Sequence, residues 1–218
     1  MERKIVPLLI TVLLLVSVNQ ATAWTLVREQ DGIKVWTRKI ADSPIAQSLA
    51  TVTVESKLSP VVALILDANN EHYWIDSVDR SKTLQQISAT KSYNYTLSNA
   101  PWPVSDRDAV VLTEASQDPV TYVVQIRSHA TPGKLPKRKG VIRIKIVDSL
   151  WTLTPQPGGK VQISYQVHSD PGGRLPAWLI NSVITDQPFN TLKNLRNIIG
   201  TTPYKDGRAS FIVEPKMQ

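Results

Sequence analysis

Apolar residues recur at helical spacing near the C-terminal end. Leu175, Trp178, Leu179, Val183 and Ile184 fall on one stripe, and Leu192, Leu195 and Ile199 continue it after Pro188. One long helix is predicted there, entered through the tight turn Asp170-Pro-Gly-Gly173. Almost everything between Ile33 and Val167 alternates with period two instead. The predicted strands are Ile33 to Arg38, Gln47 to Glu55, Thr83 to Ser88, Lys91 to Ser98, Ala109 to Ala115, Val120 to Ala130, Val141 to Leu153 and Lys160 to Ser169. Ser59 and Pro60 predict a helix to Leu66, with Ser59 as N-cap and Pro60 at the first helical position. Trp24 to Gln30 reads as a short helical lead-in, and Asp67 to Asp76 as a less regular stretch with a second short helix.

Alternation also sorts residues by face. Tyr93, Tyr95 and Leu97 share a side, as do Tyr122, Val124 and Ile126. The same holds for Ile142, Ile144 and Ile146, and for Val161, Ile163, Tyr165 and Val167. These apolar sets predict one buried sheet face, covered by the amphipathic helix. The fold class is α+β: a curved antiparallel sheet gripped by a C-terminal helix, without a βαβ repeat. Whether side chains fill that contact completely is the functional question.

The N-terminal segment is set apart. Glu2-Arg3-Lys4 precedes an apolar run from Ile5 to Val18, too short for a comfortable membrane span, and Ala21-Thr22-Ala23 has the small-residue cleavage pattern. A secretory leader over 1–23 is expected, cleaved after Ala23, with an uncleaved anchor as the alternative. The remainder, 24–218, fits one domain. There is no cysteine, so an exported chain must draw stability from its core. The net charge of +7 favours anionic surfaces such as phospholipid headgroups. Export and the lack of an Arg-rich helix exclude nucleic acid as the expected partner.

Catalytic spacing is missing. His72, His129 and His168 stand apart at no metal-ligand interval, so no metal and no cofactor is expected. No nucleophile elbow or phosphate-cradling loop occurs. Asp106-Arg107-Asp108 reads as an ion pair fixing a loop base, or as a headgroup fork. Trp102 between two prolines is either a plug or a membrane-contacting tip. Lys134, Lys137, Arg138 and Lys139 form a basic run, either a solvated hairpin tip or a docking patch for anionic lipid.

Three segments in order carry a family resemblance: Pro101-Trp-Pro-Val-Ser-Asp-Arg-Asp108; Lys139-Gly-Val-Ile-Arg143 followed by Trp151-Thr-Leu-Thr-Pro155; and His168-Ser-Asp-Pro-Gly-Gly-Arg-Leu-Pro-Ala-Trp178. With these the chain resembles a START domain, the lipid-transfer domain related to steroidogenic acute regulatory protein, in its bacterial exported form. The resemblance implies a helix-grip fold around a hydrophobic tunnel and non-catalytic binding of one lipid-like molecule. It implies that Asn99 to Asp108 and Thr131 to Gly140 are the two Ω-loops, and that the first loop and the last helix gate entry. Sterol-binding animal members place an acid and an arginine in the tunnel. The corresponding positions are Asn94 and Thr113, both uncharged, so that type of headgroup site is not expected.

On this basis the expected ligand contacts are Trp74, Tyr93, Tyr95, Trp102, Arg107, Leu112 and Tyr122. Val124, Ile144, Ile163, Tyr165, Trp178, Leu179 and Val183 complete them. The basic run is the expected membrane-docking site. The reading is a monomeric periplasmic or secreted carrier of a phospholipid, fatty acid or sterol-like molecule. Two alternatives stand beside it: a helix-grip cyclase or hydrolase using Tyr95, Arg107 and His129 as acid–base groups, and an interaction module with a vestigial cavity.

Overall fold

The structure, a computed structural model, describes residues 23–41, 43–173 and 175–216. The expected leader and its cleavage point therefore lie largely outside the described residues. Among the described residues ten strands form one sheet. They are β1 (Thr25–Gln30), β2 (Ile33–Arg38), β3 (Gln47–Glu55), β4 (Arg80–Ser88), β5 (Lys91–Ser98), β6 (Arg107–Gln117), β7 (Val124–Ala130), β8 (Ile142–Arg143), β9 (Ile146–Gln156) and β10 (Lys160–Asp170). The order across the sheet is β1-β2-β3-β10-β9-β7-β6-β5-β4. Neighbours along it are antiparallel, which is what hairpin-spaced strands produce.

Three local expectations are corrected. The lead-in Trp24 to Gln30 is not helical: Thr25–Gln30 is the edge strand β1. Asp31 and Gly32 both take positive φ, 53° and 72°. That two-residue turn matches strand twist and folds β1 back onto β2, pairing Gln30 with Ile33. Ser59 does not cap its helix. α1 (Leu58–Leu66) begins two residues before the expected Pro60, and the Glu214 carboxylate, far along the chain, accepts from the amides of Leu58 (3.1 Å) and Ser59 (2.8 Å). The Ser59 hydroxyl accepts from Ala209 N instead. Finally, Val141 to Leu153 is not one strand. Ile142–Arg143 pairs parallel to β6 before the chain enters β9, because Arg143 is drawn to Asp108.

The C-terminal helix is continuous from Ala177 to Ile199 but not uniform. α2 (Ala177–Asn181) runs through a π segment, Ser182–Asp186, into α3 (Gln187–Ile199). Pro188 has no N–H to offer the Ile184 carbonyl in α-helical register. The Ser48 hydroxyl donates to that carbonyl instead, tying the helix to β3. Phe189, Leu192, Leu195 and Ile199 of α3 are buried in the main core with Ile33, Val52 and Leu64. Side chains of that kind contribute roughly 1.5–3 kcal/mol each when fully buried. The half of the helix before Pro188 packs differently, and that difference makes the site.

Candidate functional site

A cavity of about 270 Å³ lies between the concave sheet face and the earlier half of the C-terminal helix. Its floor is aromatic. Trp151 stacks on Tyr165 with ring centroids 4.0 Å apart, and Trp74 meets Trp151 edge-on at 5.8 Å. Below that layer Val124, Leu153, Ile163 and Leu192 are fully buried in the main core. Above it the walls are Val111, Ala109 and Arg107 of β6, Ser149 and Val147 of β9, Val167 and Ser169 of β10, and Leu175, Leu179, Val183 and Ile184 of the helical segment. The loop residues Asn99 and Ala100 stand at the mouth.

Small polar residues cross the sheet at the height just above the floor. In register they are Thr113, Ser128, Ser149 and Ser48, with the apolar Val167 between the last two. Thr113 Oγ1 lies 2.9 Å from Ser128 Oγ and accepts from Asn94 Nδ2 at 3.1 Å. Asn94 Oδ1 is buried without a partner. Thus Asn94 and Thr113 are buried and bonded to each other.

Arg107 is buried at the mouth. Its guanidinium donates to the carbonyls of Ser105, Pro171 (3.5 Å) and Gly172 (3.3 Å). Burial lowers its pKa and nearby Asp106 raises it. The guanidinium remains a cation, and its work here is to pin the first loop to the turn before the helix. The ion pair expected within Asp106-Arg107-Asp108 is replaced by another. Asp108 receives two bonds from Arg143, at 2.7 and 3.0 Å, with both side chains fully buried. Arg143 also donates to the carbonyls of Pro132, Leu135 and Pro136, which fixes the second loop.

Of the expected contacts, Arg107, Ile144, Tyr165, Leu179 and Val183 line the cavity. The others do not. Trp74, Tyr122, Val124 and Ile163 belong to the packed core or its margin. Tyr93, Tyr95 and Leu112 sit on the opposite face, because Thr96, Ser98 and Val111 take the inward positions of β5 and β6. On that face Tyr95 packs with Leu97, Val110, Leu135 and Val141, and Arg138 donates to its hydroxyl at 3.0 Å. Trp102 (92 % exposed) and Trp178 (58 %) lie on the surface and do not line the cavity. The acid–base candidates Tyr95, Arg107 and His129 do not converge: Tyr95 is on the far face, Arg107 at the mouth and His129 exposed.

Sequence reasoning missed Glu71, Gln187 and the polar ladder, all in the cavity region. The small inward positions of β5 beside the ladder had a signal, as the alternates of the tyrosines: Ser92, Asn94, Thr96 and Ser98. Glu71 had none, since it lies on a short 3-10 turn, Glu71–Tyr73, in an irregular stretch. Burial, with Asp67 nearby, pushes its carboxyl up to about 8. Burial likewise pushes the Tyr165 hydroxyl up, while a hydrogen bond with Gln187 pulls it down.

The START domain family profile matches residues 10–202 of this chain. An uncharacterized protein of Pseudomonas aeruginosa is 34% identical over 179 residues, 81% of this chain and 87% of that protein. Human phosphatidylcholine transfer protein is 26% identical over 180 residues, covering 79% and 81%. The crystal structure of a STAR-related lipid transfer protein from Xanthomonas axonopodis superposes with a TM-score of 0.75 at 35% identity, over 82% of this chain and 99% of the other.

Proposed function

Because this chain belongs to the START domain family, we propose that it is a carrier that holds one hydrophobic molecule in the cavity under its C-terminal helix and does no chemistry on it. One observation carries the reading. The helix stripe continues unbroken in sequence, yet its earlier half meets a hollow rather than side chains. Apolar walls there would remove an acyl chain or ring from water at about 25 cal/mol per Å². The scattered positions of Tyr95, Arg107 and His129 speak against an acid–base site.

Entry runs past the first loop and α2. Trp102 and Trp178 offer exposed indoles on those two elements, suited to a membrane–water interface. In the basic run Arg138 is engaged by Tyr95, and Lys134 by Gln85 and the Tyr93 ring. Lys137 and Lys139 remain exposed for anionic headgroups, each contributing about 1 kcal/mol at such a surface. The chain acts as a monomer in the periplasm or outside the cell, after removal of 1–23.

Native mass spectrometry of the chain gently extracted from its source tests the carrier reading. A lipid adduct at one copy per chain, lost on organic extraction, is expected. A bare mass together with failure to take up any fluorescent lipid would refute it. The same spectrum locates the mature N-terminus, expected at Trp24.

A further inference from the structure

A second cleft, of about 610 Å³, lies at the other end of the sheet from the cavity. Ser48 and Val167 line the cavity, whereas Ser56 and Lys160, at the opposite ends of the paired strands β3 and β10, line the cleft. Segments far apart in sequence meet there: the start of α1, the turn after β6, the turn between β9 and β10, and the C-terminal tail at Glu214 to Lys216. The family match ends at residue 202, so the tail wall lies beyond it. The walls are braced. Besides the Glu214 contact with α1, the Gln117 side chain donates to the carbonyls of Val213 (2.8 Å) and Tyr122 (3.2 Å) and accepts from the Val213 amide (2.8 Å). Tyr122 is held at φ 60°, a region that is costly for a residue other than glycine, and its amide donates to the Asp118 carbonyl at 2.9 Å.

Charge in the cleft is one-sided. Lys57, Lys160 and Lys216 line it, and Glu214 is the one acid among the described lining residues. That carboxylate is already taken by the Leu58 and Ser59 amides, at the favourable end of the α1 dipole. Lys160 has Glu55 at 3.4 Å, an exposed pair that solvent screens. Lys57 and Lys216 form no ion pair among the described residues. Beside the ammonium groups the wall is apolar, with half-buried Tyr122, Pro155 and Pro215.

Three lysines, one of them partly offset, call for an anion of more than one charge. A phosphate monoester carries about −1.5 to −2 at pH 7, and lysine binds phosphate as a point charge. The apolar wall suits an organic group joined to that phosphate. Independently of the carrier reading, we propose that this cleft is a second binding site, for a small organic phosphate monoester. Lys57, Lys160 and Lys216 receive the phosphate; Tyr122, Pro155 and Pro215 receive the organic part. A soluble ester and the headgroup of phosphatidic acid share this chemistry.

Isothermal titration of the mature chain with phenyl phosphate and with inorganic phosphate tests the site. Saturable binding of one phenyl phosphate per chain is expected, about fivefold or more tighter than inorganic phosphate. Lys57→Gln together with Lys216→Gln should weaken it about tenfold. The same loss of charge elsewhere, Lys34→Gln with Lys193→Gln, should leave it within about twofold. Uptake of a lipid reporter should be unchanged in the cleft variant, which keeps failure of this site apart from failure of the carrier reading. Flotation with phosphatidic acid vesicles separates the sources. Recruitment that falls in the cleft variant and is reversed by phenyl phosphate assigns the headgroup; phenyl phosphate binding without such recruitment assigns a soluble ester. No saturable binding of phenyl phosphate, binding no tighter than that of inorganic phosphate, or equal weakening by both lysine pairs overturns the proposal.

Discussion

The two faces of β5 and β6 arise from one alternation and end in opposite states. Outward, Tyr95, Leu97 and Val110 are packed beneath the loop of residues 131–140, which the Asp108–Arg143 pair locks down. Inward, Thr96, Ser98, Ala109 and Val111 face a hollow. The large side chains went where a loop could cover them, and the small ones were left to face the helix. A cavity here is thus a matter of side-chain size on one face and of cover on the other. The helix shows the same contrast lengthwise: Phe189, Leu192 and Leu195 fill the core, while Leu179 and Val183 border space.

The filled face should break hardest. Arg143→Leu leaves the buried Asp108 carboxylate unpaired and strips donors from three carbonyls, so a loss of about 3–5 kcal/mol is expected by urea denaturation. A loss under about 1 kcal/mol would mean that the loop is not anchored there. Next comes a pair of adjacent enlargements. Val110→Phe must enter a packed cluster and should cost about 1–3 kcal/mol while leaving lipid uptake intact. Ala109→Phe enters a cavity of about 270 Å³. It should leave stability within about 1 kcal/mol and weaken uptake about tenfold or more. The opposite result for the pair would reverse the assignment of faces.

Much of this architecture was legible in the sequence. Ile33 to Arg38 and Gln47 to Glu55 are strands over just those residues, because alternation and the Asp31-Gly32 turn are local signals. The stripe Leu192, Leu195 and Ile199 was legible for the same reason. The facing of β5 and β6 was not. Alternation shows that Tyr93, Tyr95 and Leu97 lie together, not that a loop some forty residues on covers them. Ser59 was misread for a similar reason, since its helix is capped by Glu214 across the fold. Within the site, the helix contacts Leu179 and Val183 and the floor residue Tyr165 were readable from periodicity. Glu71 acquires its character only from tertiary burial and escaped notice.

A smaller effect separates the hollow from the solid core by pH. The folded chain holds the Glu71 proton up to about pH 8, whereas the ordinary carboxyl value is 4.5. The folded state therefore binds the extra proton between these values, and stability falls as pH rises through that window, levelling above it. Glu71 is half-buried rather than sealed off, so the drop is expected at about 1–2 kcal/mol rather than the full equivalent of the shift. Glu71→Gln should remove this slope, leaving stability near that of the parent at pH 4 and higher than it at pH 9. A parent curve as steep after the substitution as before would place the titration elsewhere.

The smallest expected effect is the sharpest test of facing. Tyr95→Phe deletes only the hydroxyl to which Arg138 donates at 3.0 Å. The ring stays between Leu97 and Val110, so packing is unchanged and the loss is one partly exposed hydrogen bond, about 0.5–1 kcal/mol. If Tyr95 looked outward, uptake of a lipid reporter would be the same in both proteins. If it lined the hollow instead, removing a polar group from an apolar wall would change reporter affinity with little change in stability. Measured side by side, urea midpoint and reporter affinity move in different proteins under the two arrangements, and only a shift confined to the midpoint agrees with the face described here.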